Sequence, residues 1–445
     1  MRALGLWWFL RRRTTDARDP QRLSTVLAVV AFAFSTAALL VVAGGYGAFV
    51  DRAAAPGGSP DADQYPLLAG VASLLLLVPL TTLGGAAARL AVARRDERLA
   101  TLRLAGATTG QVTTFTTLDA AAQALVGAVA GVALYCALLP AVALLNFQDR
   151  RFEIAELWVG VPLVLAAVGL VVVIALVSAL ASLRRVAVTP LGVAARTTPP
   201  GLRAVRALVL VAAVVAMPVV VNVPFGGDGV AIAMIVGVLV LGFAALGAIG
   251  PFVLQLVGRV TVRRARSVET LLAGRRIVDD PRTAWRSVGG VALATFIAGL
   301  ASITALFTPP ADADPWEIVF TADLRTGALL TLAIAGILAA VSTGVMQAGR
   351  AIDQREQSGA LILAGSEPRT LDRARMRETT IPLAASVGLA TATMLMLIAP
   401  VLGLGAFQQV SVVVELLAAI AAASALVGAG AWAAGLVARR TLPTP

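Results

Sequence analysis

The hydrophobic pattern of this chain is one of long, nearly charge-free runs separated by short polar stretches. These runs cover residues 24–49, 66–88, 119–145, 157–183, 207–223, 229–257, 287–307, 326–348, 380–403 and 410–437. Each is close to the roughly 20 residues a helix needs to cross a hydrocarbon core. Ten membrane-spanning helices are therefore expected, of which 207–223 is the shortest and carries Pro218.

The polar stretches orient the spans. Counted alternately, one set of loops and termini holds 32 arginines, whereas the other holds only Arg52, Arg150, Arg151 and Arg325. Basic residues remain on the cytoplasmic side during insertion, so an all-α integral membrane protein with both termini cytoplasmic is expected. A bacterial cell membrane is the expected location. The first apolar run, 24–49, is too long for the roughly 7 to 15 residues of a signal sequence. Ala53, Ala54 and Ala55 accordingly read as loop, not as a cleavage site. Trp7, Trp8 and Phe9 beside Arg11, Arg12 and Arg13 suit a helix lying in the membrane interface.

Composition sharpens this picture. With 58% hydrophobic and 14% charged residues in 445, the chain holds more apolar surface than a soluble domain can bury. A formal charge of +11 would suit nucleic acid, but its placement on one membrane face assigns it to lipid headgroups. Membrane lipids are thus expected partners and nucleic acid is not. All 36 basic residues are arginine. Without lysine the chain cannot form a phosphate-binding P-loop, and without histidine it lacks imidazole acid–base chemistry and imidazole metal sites. Cys136 is the single cysteine, which excludes an internal disulfide or a cysteine zinc cluster and reads as a packing residue. Gly84, Gly85, Gly289 and Gly290 are expected at close helix contacts. Glu415 lies inside a span near its outer end and serves either a polar site or the interface.

The two halves resemble each other. Asp96–Val112 reads DERLATLRLAGATTGQV and Arg355–Leu371 reads REQSGALILAGSEPRTL. Aligned without gaps, Glu97 matches Glu356, Leu102 matches Leu361, and Leu104, Ala105 and Gly106 match Leu363, Ala364 and Gly365. At the same offset Asp119 matches Glu378, and Asp19-Pro20 ahead of the first span matches Asp280-Pro281 ahead of the seventh. Two four-helix modules, 1–200 and 266–445, joined by a two-helix connector at 201–265, are expected. Each repeated loop reads as a short helical finger stopped by glycine in a left-handed conformation. A second helix follows, opened by a Thr108/Gln111 capping box in one copy and by Ser366 as N-cap in the other.

The segment RRDERLATLRLAGA, Arg94–Ala107, resembles the cytoplasmic coupling segment of the FtsX-like permeases of ABC transporters. The second copy, Asp353–Ser366, departs from it at Ile362 and Ser358, where the first has Arg103 and Leu99. In layout the chain is most similar to the ten-helix permeases of the bacitracin-efflux and peptide-antibiotic resistance group. The large extracellular domain those permeases carry is replaced here by a loop of about 18 residues, 308–325. The resemblance implies a non-catalytic subunit that itself holds no cofactor. ATP and magnesium would be bound by a separate P-loop ATPase, present in two copies per permease chain. Glu97, Leu102 and Gly106, with Glu356, Leu361 and Gly365, would couple the two proteins. The substrate would be an amphipathic compound, lipid or peptide, exported or extracted from the membrane; its binding residues are not legible. Two other readings remain at this point. One is mechanotransmission to an extracellular enzyme or a sensor kinase. The other is ion-coupled transport, which the lack of ionisable residues near the bilayer midplane disfavours.

Overall fold

Arginine-bearing and apolar segments alternate along a bundle of long helices. The computed structural model describes residues 20–55, 62–93, 108–187, 228–306, 309, 312–353, 360, 362–402 and, in part, 413–430. The expected span 207–223, the interfacial segment with Trp7, Trp8 and Phe9, Gly106, and Glu415 lie outside these residues. In chain order the elements are α1 (Pro20–Ala54), α2 (Gln64–Ala93), α3 (Thr109–Ala143), β1 (Asn146–Phe147), β2 (Arg150–Arg151), α4 (Ile154–Leu157) and α5 (Gly160–Ala187). They continue with α6 (Asp228–Arg263), α7 (Val268–Asp279), α8 (Pro281–Ser302), a 3₁₀ turn (Ile303–Leu306), α9 (Pro315–Asp353) and α10 (Pro368–Leu402). Among the described residues eight segments are long and apolar enough to cross a membrane, and each coincides with an expected span. The chain is a multi-pass, all-α membrane protein.

The helices overrun the apolar stretches that announce them. α9 starts at Pro315 rather than 326, so the second half of the stretch expected as a loop, 308–325, is helical. α10 likewise starts at Pro368 rather than 380. Hydropathy marks only the part of a helix that sits in hydrocarbon, while backbone hydrogen bonding continues into the interface. Local capping sets the true ends. Thr108 accepts from the Gln111 backbone N–H at 3.3 Å and the Gln111 side chain accepts from the Thr108 N–H at 3.1 Å, as expected for the capping box. Asp280 Oδ1 accepts from the Thr283 N–H at 3.0 Å, with Pro281 in the first turn of α8. At α10 the expected Ser366 cap is displaced by one residue. The Glu367 carbonyl takes the first helical bonds, from Thr370 and Leu371, because Pro368 favours the first helical position and cannot donate.

α1 packs on α2 and α3, and α3 on α5; α8 packs on α9 and α10. α2 and α9 face each other across the middle, and α6 closes the far side of α8. α8 is the centre of the bundle, with 17 of its 22 residues buried. Outward-facing Val126, Val129, Leu165 and Val177 present an apolar surface suited to lipid. Cys136 lies on this exposed face and not in packing.

Small residues determine how near the helices come. A Cβ on Gly127 would fall 2.6 Å from Phe32 Cβ, and one on Gly131 would fall 2.6 Å from both the Ala33 carbonyl oxygen and Thr36 Cβ. The α1–α3 crossing therefore requires glycine twice, four residues apart, on one face. Gly290 meets Ala339 of α9 as expected, whereas a Cβ on Gly84 would stand 3.7 Å from Ser35 Oγ, an ordinary contact. Replacing Gly131 by Leu should push α1 from α3 and cost about 1–3 kcal/mol. The thermal midpoint of the detergent-solubilised protein should fall, while Gly84→Ala leaves it close to wild type.

Candidate substrate cavity and coupling face

At the end of the bundle carrying the β1–β2 hairpin, a group of polar side chains ties the two halves together. Arg52, at the last turn of α1, is only 4% exposed. Its guanidinium donates to Glu156 of α4 at 2.7 and 3.3 Å, to the Phe147 carbonyl at 3.0 Å and to the Arg151 carbonyl at 3.0 Å, and it lies 4.2 Å from the Phe152 ring centroid. The planar, multi-donor head of arginine suits this bridging role, which lysine could not fill. Gln148 and Asp149 form the hairpin turn with φ of 58° and 57°. That pair of left-handed residues is the signature of a type I′ turn, which asparagine and glycine enter more readily. The strain is offset from the other half: Asp323 of α9, 7% exposed, accepts from the Gln148 N–H at 2.6 Å and from the Tyr65 hydroxyl at 2.7 Å.

Beneath this polar layer lies a cavity of about 270 Å³. Its walls come from α1 and α2 on one side, through Val41, Gly45, Phe49 and Leu76, and from α8 and α9 on the other, through Ile297, Leu300, Leu324 and Ile334. Tyr65, Phe147, Phe152 and Phe320 roof it, with Phe49 packed edge-on against Phe147 and Phe152. Asp323 is the charged residue of the lining. Such a chamber, mostly apolar with a single charged group at one end, suits an amphipathic ligand.

The opposite, arginine-rich end carries the second repeated loop. Ala364 donates to Ala360 and Gly365 to Ile362, which forms a single helical turn, and Gly365 ends it at φ +92°. Leu363 is 91% exposed there. Of the residues expected to couple, Gly365 is thus placed as a left-handed stop, while Glu97, Leu102, Gly106, Glu356 and Leu361 lie outside the described residues. The finger runs directly into α10, which is clamped to the amphipathic α7. Arg276 of α7 pairs with Glu378 at 2.9 Å, and Glu269 faces Arg377 at 3.5 Å and Arg373 at 3.8 Å. Arg377 also donates to Ser267 and Thr270. The Ser267 hydroxyl, the Glu269 backbone amide and the two guanidinium groups hold the Glu269 carboxyl below its ordinary range.

Comparison with known proteins bears on both ends. Residues 70–190 match the family model described as FtsX-like permease C-terminal. The chain carries an FtsX-like permease domain. The match bears out the resemblance seen in the sequence. The matched stretch runs from α2 through the first repeated loop, α3 and the hairpin to α5. Neither a curated protein nor a solved structure matches the chain.

Sequence reading missed the polar layer. Asp323 fell in a stretch assigned to a loop, and its partners Tyr65 and Gln148 are far away in the chain. Positive-φ Gln148 leaves no composition signal. Glu156→Gln should leave Arg52 charged and incompletely paired, costing about 1–3 kcal/mol. Hydrogen exchange at residues 146–151 should rise with it. The α7–α10 clamp carries a pH signature. A depressed carboxyl pKa contributes stability that is complete above its ordinary value and is lost as pH falls through the folded value. Acidification should therefore loosen α7 in the wild type, and Glu269→Gln should remove that acid-dependent component.

Proposed function

We propose that this protein is the membrane subunit of an ABC transporter that exports, or extracts from the bilayer, an amphipathic compound, lipid or peptide. The observation that carries this reading is the cavity at the hairpin end, whose apolar walls belong half to α1–α2 and half to α8–α9. A chamber shared by two groups of helices changes shape when one moves against the other. The α2–α9 contact and the parallel packing of α1 on α2 and α3, and of α8 on α9 and α10, support two duplicated modules at 1–200 and 266–445 around the connector 201–265. The proposed total is ten spans, with both termini and the arginine-rich end in the bacterial cytoplasm.

ATP and magnesium are held by a separate P-loop ATPase, two copies to one permease chain, since each repeated loop docks one copy. In this reading Glu97, Leu102 and Gly106 form one docking finger and Glu356, Leu361 and Gly365 the other. The exposed Leu363 and the left-handed stop at Gly365 supply the apolar tip and rigid end that such docking needs. Direct continuity of the second finger with α10, and of α10 with α7 through Arg276–Glu378, provides a route by which closure of the ATPase dimer tilts the bundle. Outer loops as short as the hairpin at 146–151 and the stretch of about 18 residues at 308–325 in the sequence offer little surface to an extracellular enzyme, which favours transport over mechanotransmission.

Reconstitution with the ATPase of a neighbouring reading frame tests this directly. The isolated chain should neither bind nor hydrolyse ATP, and the assembled complex should weigh as one permease with two ATPases. Leu102→Asp should abolish stimulation of the ATPase and Leu361→Asp should weaken it, because a carboxylate buried in an apolar groove costs several kcal/mol. Full stimulation with both leucines replaced would refute the docking assignment. Orientation is checked in a Cys136→Ser background. Cysteines at Asp149 and Ala313 should react with an impermeant reagent from outside, and one at Glu367 only from inside.

A further inference from the structure

A second cavity, of about 330 Å³, lies toward the arginine-rich end between α2, α6, α8 and α9. It does not share a lining residue with the first. Its walls are apolar, built from Val78, Ala86, Phe243 and Leu293, and its lining also carries Arg286, Thr81, Thr82 and Ser342. We infer that this cavity is a binding site for an anionic phospholipid, with the phosphate on Arg286 and the start of an acyl chain along Val78, Phe243 and Leu293.

The charge on Arg286 is what calls for an anion. Its own hydrogen bonds are to the Arg282 carbonyl at 3.3 Å and to Thr283 Oγ1 at 3.5 Å, both within α8. Among the described residues no carboxylate pairs with it, and the nearby acids are already engaged: Asp280 caps α8 through Thr283, and Glu378 holds Arg276. Arg350, which donates to the Thr283 carbonyl, is a second cation near Arg286, and it is itself faced by Glu378 and Asp280. Thr81 and Thr82 donate their hydroxyl protons to Val78 and Pro79 of their own helix at 3.0 and 2.8 Å. With those protons committed, the two hydroxyls of the lining can serve a headgroup only as acceptors. A free phosphate would satisfy Arg286 but leave the hydrocarbon walls in contact with water, so the fit is to a lipid and not to a dissolved anion. The walls come from helices on both sides of the α2–α9 contact, so the lipid would act as a wedge between them. Only the choice of leaflet rests on the orientation proposed above.

Two substitutions separate the two halves of the site. Arg286→Gln removes the charge. Gly247→Leu fills the hydrocarbon part, since nothing stands within 4 Å of a Cβ placed there, and leaves Arg286 untouched. The detergent-purified permease is titrated with dioleoylphosphatidylglycerol, with dioleoylphosphatidylcholine and with inorganic phosphate. Binding is followed by native mass spectrometry and by the thermal midpoint. The wild type should retain phosphatidylglycerol in preference to phosphatidylcholine and be stabilised by it. Inorganic phosphate alone should do neither. Arg286→Gln should lose about tenfold in phosphatidylglycerol affinity, the worth of a charge-assisted hydrogen bond, and Gly247→Leu should also lose about tenfold, by occupying the space of the acyl chain. Arg286→Lys should retain most of it, which controls for misfolding. Equal retention of both lipids, undiminished binding by either variant, or a full shift with inorganic phosphate would each overturn the assignment. None of these readouts involves an ATPase, so failure here is distinct from failure of the transporter reading.

Discussion

In hydrocarbon a helix gains nothing by leaving lipid for a neighbouring helix, so association depends on how closely backbones approach. Everything else in this structure follows from the crossings where that approach is complete. Gly127 and Gly131 bring α3 against α1, Gly290 brings α8 against Ala339 of α9, and Gly250 admits the Trp285 indole where a Cβ would come within 2.2 Å of it. These contacts make α8 the buried axis of the bundle. One cavity lies between α1–α2 and α8–α9, and the other among α2, α6, α8 and α9.

Among the described residues the ion pairs lie at the two ends, where water and headgroups lower their desolvation cost. At the hairpin end Arg52, Glu156, Tyr65 and Asp323 join α1, α2, α4 and α9 around a strained turn. At the arginine-rich end α7 is held to α10 by ion pairs and to α6 by close packing of Gly258 on Ile277 and Val278. Between the two ends the contacts of the bundle are mostly apolar. That division suits a protein proposed to carry force from one membrane face to a chamber near the other.

The chain itself announced much of this. Length and hydropathy of its runs located eight spans that the structure contains, and the capping pairs Thr108/Gln111 and the glycine at 365 were legible because each acts within a few residues. The repeated loops were visible by direct comparison of one half with the other. What could not be read was any pairing between distant residues. Asp323 looked like a loop carboxylate because its stretch is polar, and its value to the fold depends on Gln148, a residue with no unusual local signature.

The glycines show where the boundary falls. Their abundance in apolar runs is evident from sequence, yet Gly84 was expected at a tight crossing and stands in ordinary contact, whereas Gly127 and Gly131, not singled out, are indispensable. The sequence determined which segments are apolar enough to enter the bilayer and, at Thr108, where a helix starts, because solvation and backbone capping are local. Only the tertiary structure decided which faces meet, which charges lie buried together and where space is left between helices. Those depend on the relative rotation of helices, and in a uniformly apolar span no hydrophobic period records that rotation.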